Sequence, residues 1–211
     1  MDMTKIFERL ASFPDQSISF YDDENVVRRK SYPHVLEDVR LVVERLTGWG
    51  VETGMRVGIL ATNSYEWLLY DLALMHMQCT VVAFPEEFGG SNSAALIERY
   101  KLSLLLLSAK DQWPNISAGD GTAYIDANTD LPIRAIKRQL EPISDGFVPS
   151  LIFSSGTSGK IKCIITDRRG AEYTIEKFYN FFDINSSDSF LVFLPLSSFQ
   201  QRLMIYAGFF Y

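Results

Sequence analysis

Four hydroxyl side chains, two glycines and two lysines fall within nine residues, SSGTSGKIK, from Ser154 to Lys162. The apolar stretch Leu151, Ile152, Phe153 leads into them and Cys163, Ile164, Ile165 leads out. Successive backbone N–H groups in a glycine-rich turn form a concave anion nest, and serine and threonine hydroxyls add rotatable donors without bulk. Gly156 and Gly159 admit positive φ and close backbone approach. Lys160 or Lys162 can set a point charge against a phosphate. Such a set suits the gripping of a polyphosphate.

Two familiar phosphate loops do not fit. A Walker loop ending at Gly159 and Lys160 needs glycine where Ser154 stands and a hydroxyl where Ile161 stands. The dinucleotide fingerprint needs three spaced glycines opening into a helix, whereas the two here run on into the strand-like KCIIT. A strand, a hydroxyl-rich loop and a second strand make a different construction.

That construction resembles the phosphate-binding signature of the adenylate-forming superfamily, which includes acyl-CoA synthetases, acyl-AMP ligases and the adenylation domains of peptide synthetases. The signature runs Ser/Thr-Ser-Gly-Thr-Thr/Ser-Gly, a variable residue, then Pro-Lys-Gly; here SSGTSGKIKC departs at Ile161 and Cys163. The matching lysine is Lys162, and Lys160 takes the variable place. SYPHVLEDVRLVVERLTGWGVETGMRVGILATNSYEWLLYDLALMHMQCTVVAF is similar to the family's N-terminal region, element by element, ahead of Pro85. FLPLSSFQQR is similar to a later Leu-Pro-Leu-Ser-His segment lining the acyl and nucleotide pockets, with Ser198 in place of the histidine.

The elements that must hold the loop follow from periodicity. Leu36, Val39, Val43 and Leu46 recur at helical spacing after Ser31 and Pro33, and Gly48 and Gly50 end that helix. RVGILA predicts a strand, YEWLLYDLALMHM a helix capped by Asn63 or Ser64, TVVAF a strand, SNSAALIERY a capped helix and LSLLLLS another strand. Strands apolar on both faces alternating with helices predict an α/β fold, a mostly parallel sheet flanked by helices. Residues 111–149 read as loops with a short strand near AYID and a helical turn around Ile133 to Leu140. Beyond them come strand SLIF, the loop, strand KCIIT, a helix from about Gly170 to Phe182, a strand in SFLVFLPL and a helical FQQRLMIYAGFFY. Subregions of about 1–148 and 149–211 are expected.

The 211 residues are 47% hydrophobic and 22% charged, the make-up of a protein with a substantial core. A net charge of -6 supplies no general attraction for nucleic acid or an anionic membrane, so any polyanion must be held locally. Cys79 and Cys163 lie in apolar stretches and read as buried reduced thiols. There is no basic-then-apolar leader and no run of the roughly 18 apolar residues that span a bilayer, which predicts a cytoplasmic protein with no membrane span. His34 and His76 read as packing or surface residues, Trp67, Tyr70 and Met75 as core, and Asp22, Asp23, Glu24 as a solvated turn. Phe178 to Phe182 read as helix-to-sheet packing, with an acyl tunnel as the alternative. No carboxylate spacing suggests a metal site.

The resemblance implies a reaction in which a carboxylate attacks the α-phosphate of ATP, pyrophosphate leaves, and the acyl-adenylate passes to a thiol of CoA or of an acyl or peptidyl carrier protein. It assigns Ser154, Ser155, Gly156, Thr157, Ser158, Gly159 and Lys162 to the β- and γ-phosphates, Ser198 to the rim of the acyl pocket, and Mg2+ to the phosphate oxygens. LPLSSFQQR leans towards acyl-CoA synthetases and acyl-AMP ligases over amino-acid adenylation. The family's adenine-binding, ribose-binding and C-terminal lysine segments follow later in the chain. Residues 1–211 are therefore expected to be the N-terminal portion of a larger enzyme, inactive alone. The alternative is a non-catalytic module docking a partner through an exposed apolar C-terminal helix.

Overall fold

The computed structural model of the chain describes residues 2–111, 113, 121–126, 134–137, 147–155, 161–185 and 187–210. A 3-10 turn at Met3–Lys5 leads into α1 (Ile6–Ser12), which buries Ile6 and Leu10. An antiparallel hairpin follows, β1 (Ser17–Tyr21) against β2 (Val27–Ser31). Its turn is wound around Asp22, whose Oδ1 accepts from the backbone N–H groups of Glu24 and Val26. Neither element was evident from periodicity, because VRRKS carries three adjacent cations and its strand is mostly exposed.

The predicted helices and core strands then appear in order. They are α2 (Tyr32–Gly48), β3 (Arg56–Leu60), α3 (Tyr65–His76), β4 (Thr80–Ala83), α4 (Ser93–Tyr100), β5 (Leu104–Leu107) and β6 (Thr122–Tyr124). The Ser64 side chain accepts from Trp67 N–H at 3.0 Å to cap α3, and Asn92 caps α4 through Ala95 N–H. Every residue of α3 from Trp67 to Met75 is buried, as befits a helix that is hydrophobic all round. The loop-bearing strands are β7 (Ser150–Ser155) and β8 (Ile161–Thr166), followed by α5 (Arg168–Phe182) and α6 (Phe199–Phe210).

Six strands form one sheet in the order β6-β5-β3-β4-β7-β8. All neighbours are parallel except β7 and β8, so β8 is an antiparallel edge. One core, against α1, α2, α3 and α6, includes Val57, Ile59, Leu104 and Leu106; the other, with Phe88 and α4, includes Leu60, Leu105 and Leu107. Gly58 lies mid-sheet because nothing larger fits: a Cβ there would stand 2.7 Å from Leu102 Cδ1 and 2.9 Å from Phe84 Cε2.

Five expectations are corrected, the fifth being the burial of Cys163. Within the turn expected at 133–140, Arg134–Lys137 is not helical; Ala135 N–H donates to Trp49 O and Ile136 N–H to Ser103 O, which uses the donors a helix would need. Residues 133 and 138–140 lie outside the described residues. SFLVFLPL is not a strand: it pairs with no strand among the described residues, and side-chain amides take both backbone groups of Leu194 and the N–H of Leu196. The C-terminal helix is not exposed; α6 buries Phe199, Tyr206, Ala207, Phe209 and Phe210. Within Phe178 to Phe182, Phe178 packs on the core, but Phe181 is 81% exposed.

Cys79 is buried, with its thiol pushed up to about 12 by burial, whereas Cys163 is exposed because β8 is an edge. The native chain is expected to react with a thiol reagent at Cys163 alone, more slowly than a free thiol because partial burial raises its pKa, and to expose Cys79 only in denaturant; two native equivalents reacting at one rate would contradict the burial of Cys79.

Candidate functional site

The hairpin's ladder runs from Ser150 opposite Thr166 to Ser155 opposite Ile161, and the loop 156–160 joins its open end. Gly156, Thr157, Ser158 and Gly159, with Lys160, lie outside the described residues. Ser154 pairs with Lys162 in register, so their side chains share a face of the hairpin. Ile152, on that face, packs against the core beneath α3 and α6. Phe153, on the other face, joins an aromatic box with its ring 5.2 Å from Phe84, 4.8 Å from Phe88 and 5.3 Å from Tyr100. The strand beneath the loop is thus wedged on both sides. Lys162 is exposed and makes no ion pair among the described residues.

The loop leaves the carboxyl end of β7, and because β3, β4, β5 and β6 run parallel to it, their carboxyl ends open on the same edge. That edge is where open α/β sheets bind ligands. Here it carries Thr62, Asn63, Ser108 and Asp111. Asp111 accepts from both Thr62 N–H and Thr62 Oγ1 at 2.8 Å, stitching the end of β3 to the segment after β5. Asp126, after β6, accepts from Ser108 Oγ at 2.6 Å and from Ala109 N–H at 2.7 Å. Burial works against its charge, but these bonds and that from Lys110 N–H hold its carboxyl below the usual range. A shallow depression lined by Thr47, Glu52 and His76 lies at the opposite, amino end of the strands.

Residues 190–194 run exposed and unpaired toward this edge. Asn63 holds the segment that follows, donating from Nδ2 to Leu194 O at 2.9 Å and accepting from Leu196 N–H at Oδ1 at 2.7 Å. Gln201, buried in α6, accepts Leu194 N–H at 3.1 Å. Leu196 is buried and Ser198 stands immediately before α6, its N–H donating to Pro195 O.

One turn into α6, Arg202 is fully buried and ties the helix to the sheet. Its Nη1 donates to Asp71 Oδ1 at 3.0 Å and its Nη2 to Ser150 Oγ at 2.6 Å, at the root of β7. Tyr206 Oη donates to the other oxygen of Asp71. Burial opposes the arginine's charge, yet Asp71 and Tyr206 outweigh it and raise its pKa. Burial, then Asp71, drives the Tyr206 phenol well up.

Of the residues singled out in the sequence, the structure places Ser154 and Lys162 together on one hairpin face, gives Ser155 the last rung of β7, and sets Ser198 at the start of α6. Asn63, Gln201 and Arg202 were not among the site candidates. For Gln201 and Arg202 the signal was polarity inside apolar surroundings, QQR opening a helix that is otherwise largely hydrophobic; Asn63 stood out only as a candidate helix cap in TNS.

The Ser154–Lys162 face sets an exposed cation, without an ion pair among the described residues, beside a hydroxyl near the open end of the hairpin, groups of a kind that can meet an anion. Among the described residues no cluster of three His, Cys, Asp or Glu could hold a metal, so a magnesium ion here would rest chiefly on phosphate oxygens. No helix among them is long and apolar enough to cross a membrane.

The profile of the AMP-binding enzyme family matches residues 6–210. No curated protein matches the chain. Among solved structures, o-succinylbenzoate coenzyme A synthetase (MenE) from Bacillus subtilis, in complex with AMP, is 17% identical at a TM-score of 0.74, over 97% of this chain and 52% of its own. The same enzyme with ATP and magnesium ion gives 16% and 0.74, over 97% and 54%. The N-terminal subdomain of Klebsiella oxytoca NpsA, in complex with 3-hydroxybenzoyl-AMSN, gives 17% and 0.72, over 98% and 50%. The chain thus spans about half the length of these structures.

Proposed function

Because the chain belongs to the AMP-binding enzyme family, we propose that it forms the N-terminal portion of an enzyme that activates a carboxylic acid with ATP. The observation that carries this reading is the β7–β8 hairpin, wedged by core on both faces and opening at the carboxyl edge of the sheet beside Lys162, which makes no ion pair among the described residues. A carboxylate oxygen of the acid attacks the α-phosphorus, the bond to the bridging oxygen breaks, and pyrophosphate departs with the released electron pair. The hydroxyls of Ser154, Ser155, Thr157 and Ser158, the amides around Gly156 and Gly159, and Lys162 stabilise the charge gathering on that leaving group. Magnesium, when bound, neutralises the phosphate oxygens. Ser198 lines the rim for the acyl group; a thiol of CoA or of a carrier protein then attacks its carbonyl carbon, the bond to the phosphate oxygen breaks and AMP leaves with that electron pair, in the cytoplasm.

Residues 1–211 alone do not adenylate in this reading, since the parts that seat adenine and ribose lie elsewhere. Exposed apolar side chains on both faces of the edge strand β8, Ile161 and Ile165 on one and Ile164 on the other, together with Tyr173 and Phe181 of α5 and with Leu191 and Phe193, support a further part of the fold packing against these elements. ATP–pyrophosphate exchange tests both statements with a panel of alkanoic, aromatic and amino acids. The protein at the length its gene encodes exchanges with at least one acid, and residues 1–211 exchange with none. A silent gene-length protein sinks the activity, and an active 1–211 chain sinks the division of labour.

A further inference from the structure

The segment Phe190–Leu196 has the composition of a strand but no strand beside it. Its backbone instead meets two side-chain amides from separate elements. Asn63, at the carboxyl end of β3, both donates to Leu194 O and accepts from Leu196 N–H, imitating the two-pronged grip of a neighbouring strand. Gln201 takes the remaining polar group of Leu194, its N–H. Pro195, between the gripped residues, has no N–H to satisfy. The clamp sits on β3, two strands from β7 in the sheet, hence about 10 Å from it at ordinary strand spacing. Residues 194–198 are therefore held at the carboxyl edge of the sheet, where β7 also ends.

We infer that Asn63 is a positioning residue for the acyl-pocket rim, setting the distance between Ser198 and the phosphate-holding hairpin; this rests on the function proposed above. Asn63 is exposed and caps no helix, that task falling to Ser64. Its two bonds converge on one segment and on nothing else among the described residues. A residue needed only for stability would not be placed in solvent with both polar groups aimed at one passing loop. Gln201 fixes the same segment from the helix side, so loss of Asn63 leaves the loop tethered at one end and free to shift at the other.

The test compares wild type with Asn63→Ala and Asn63→Asp at the length the gene encodes, following pyrophosphate exchange and amide hydrogen exchange. In Asn63→Ala the KM for the carboxylic acid rises about tenfold or more, the scale of two lost hydrogen bonds, while the KM for ATP is unchanged. The amide of Leu196 exchanges faster, while that of Leu194, held by Gln201, and those of β3 and β7 keep their protection. Asn63→Asp keeps an acceptor for Leu196 N–H but faces Leu194 O with a second oxygen, so its effect lies between. An unchanged KM for the acid, or equal rises for acid and ATP, overturns the assignment. So does unchanged protection of Leu196. A wild-type protein that exchanges no pyrophosphate strikes the functional reading, and the pocket assignment falls with it.

Discussion

Arg202→Met lowers the unfolding free energy by about 3–5 kcal/mol, the scale for breaking one side of a buried ion pair. The guanidinium is completely enclosed, between Asp71 and Ser150 and over the rings of Trp67 and Phe199 at 5.5 and 5.0 Å. Without it, the Asp71 carboxylate keeps only the Tyr206 hydroxyl in a site away from water. An unpaired buried charge costs far more than the pair's net worth, because desolvation had already offset most of the Coulombic gain. The double variant Asp71→Leu with Arg202→Met is accordingly less destabilised than Arg202→Met alone, since neither charge remains. The Arg202 Nε, buried without a partner, is consistent with a pair kept for geometry more than for strength. Urea denaturation of the wild type and these variants measures the effect. Arg202→Met within the noise of wild type, or a double variant worse than the single, would remove the ion pair from its place as the link between α6 and β7.

What could be read from the chain and what could not divide along a physical line. TVVA and LLLL have no polar face, which only a strand covered on both sides tolerates, so the parallel sheet was legible before its order was. The two strands around the glycine-serine stretch were legible because apolar runs flank it on both sides, and β7 and β8 stand where those runs lie, while 156–160 fall outside the described residues. Features settled by distant partners were not. SFLVFLPL has the propensity of a strand, but Asn63 lies 131 residues from Leu194 and takes the bonds a ladder would have made. Arg202 looks like the solvent face of a helix until Asp71, equally remote, gives it a reason to be inside. The apolar surroundings of Cys163 are genuine, yet no local pattern says that β8 is the edge of the sheet and leaves the thiol in the open.

Lys162→Ala slows pyrophosphate exchange by the gene-length protein about 10²-fold or more, as removal of one preorganised group facing developing charge does elsewhere. Lys162 lies on a strand and not in the loop, so its backbone is fixed by the rung opposite Ser154 before any nucleotide arrives. The side chain is exposed and makes no ion pair among the described residues, so its ammonium is free to meet the charge that grows on the departing pyrophosphate. Nothing in the core depends on it, and the melting temperature of the variant stays at the wild-type value. Lys162→Arg keeps the charge on a planar fork in place of a compact ammonium and restores part of the rate. Lys160→Ala discriminates between the two lysines: rate loss confined to Lys162→Ala assigns the phosphate contact to β8, whereas equal losses, or a larger one at Lys160, move it into the loop. A Lys162→Ala protein that exchanges pyrophosphate as the wild type does would mean that backbone amides and hydroxyls alone hold the phosphates, and the hairpin would need no cation at its mouth.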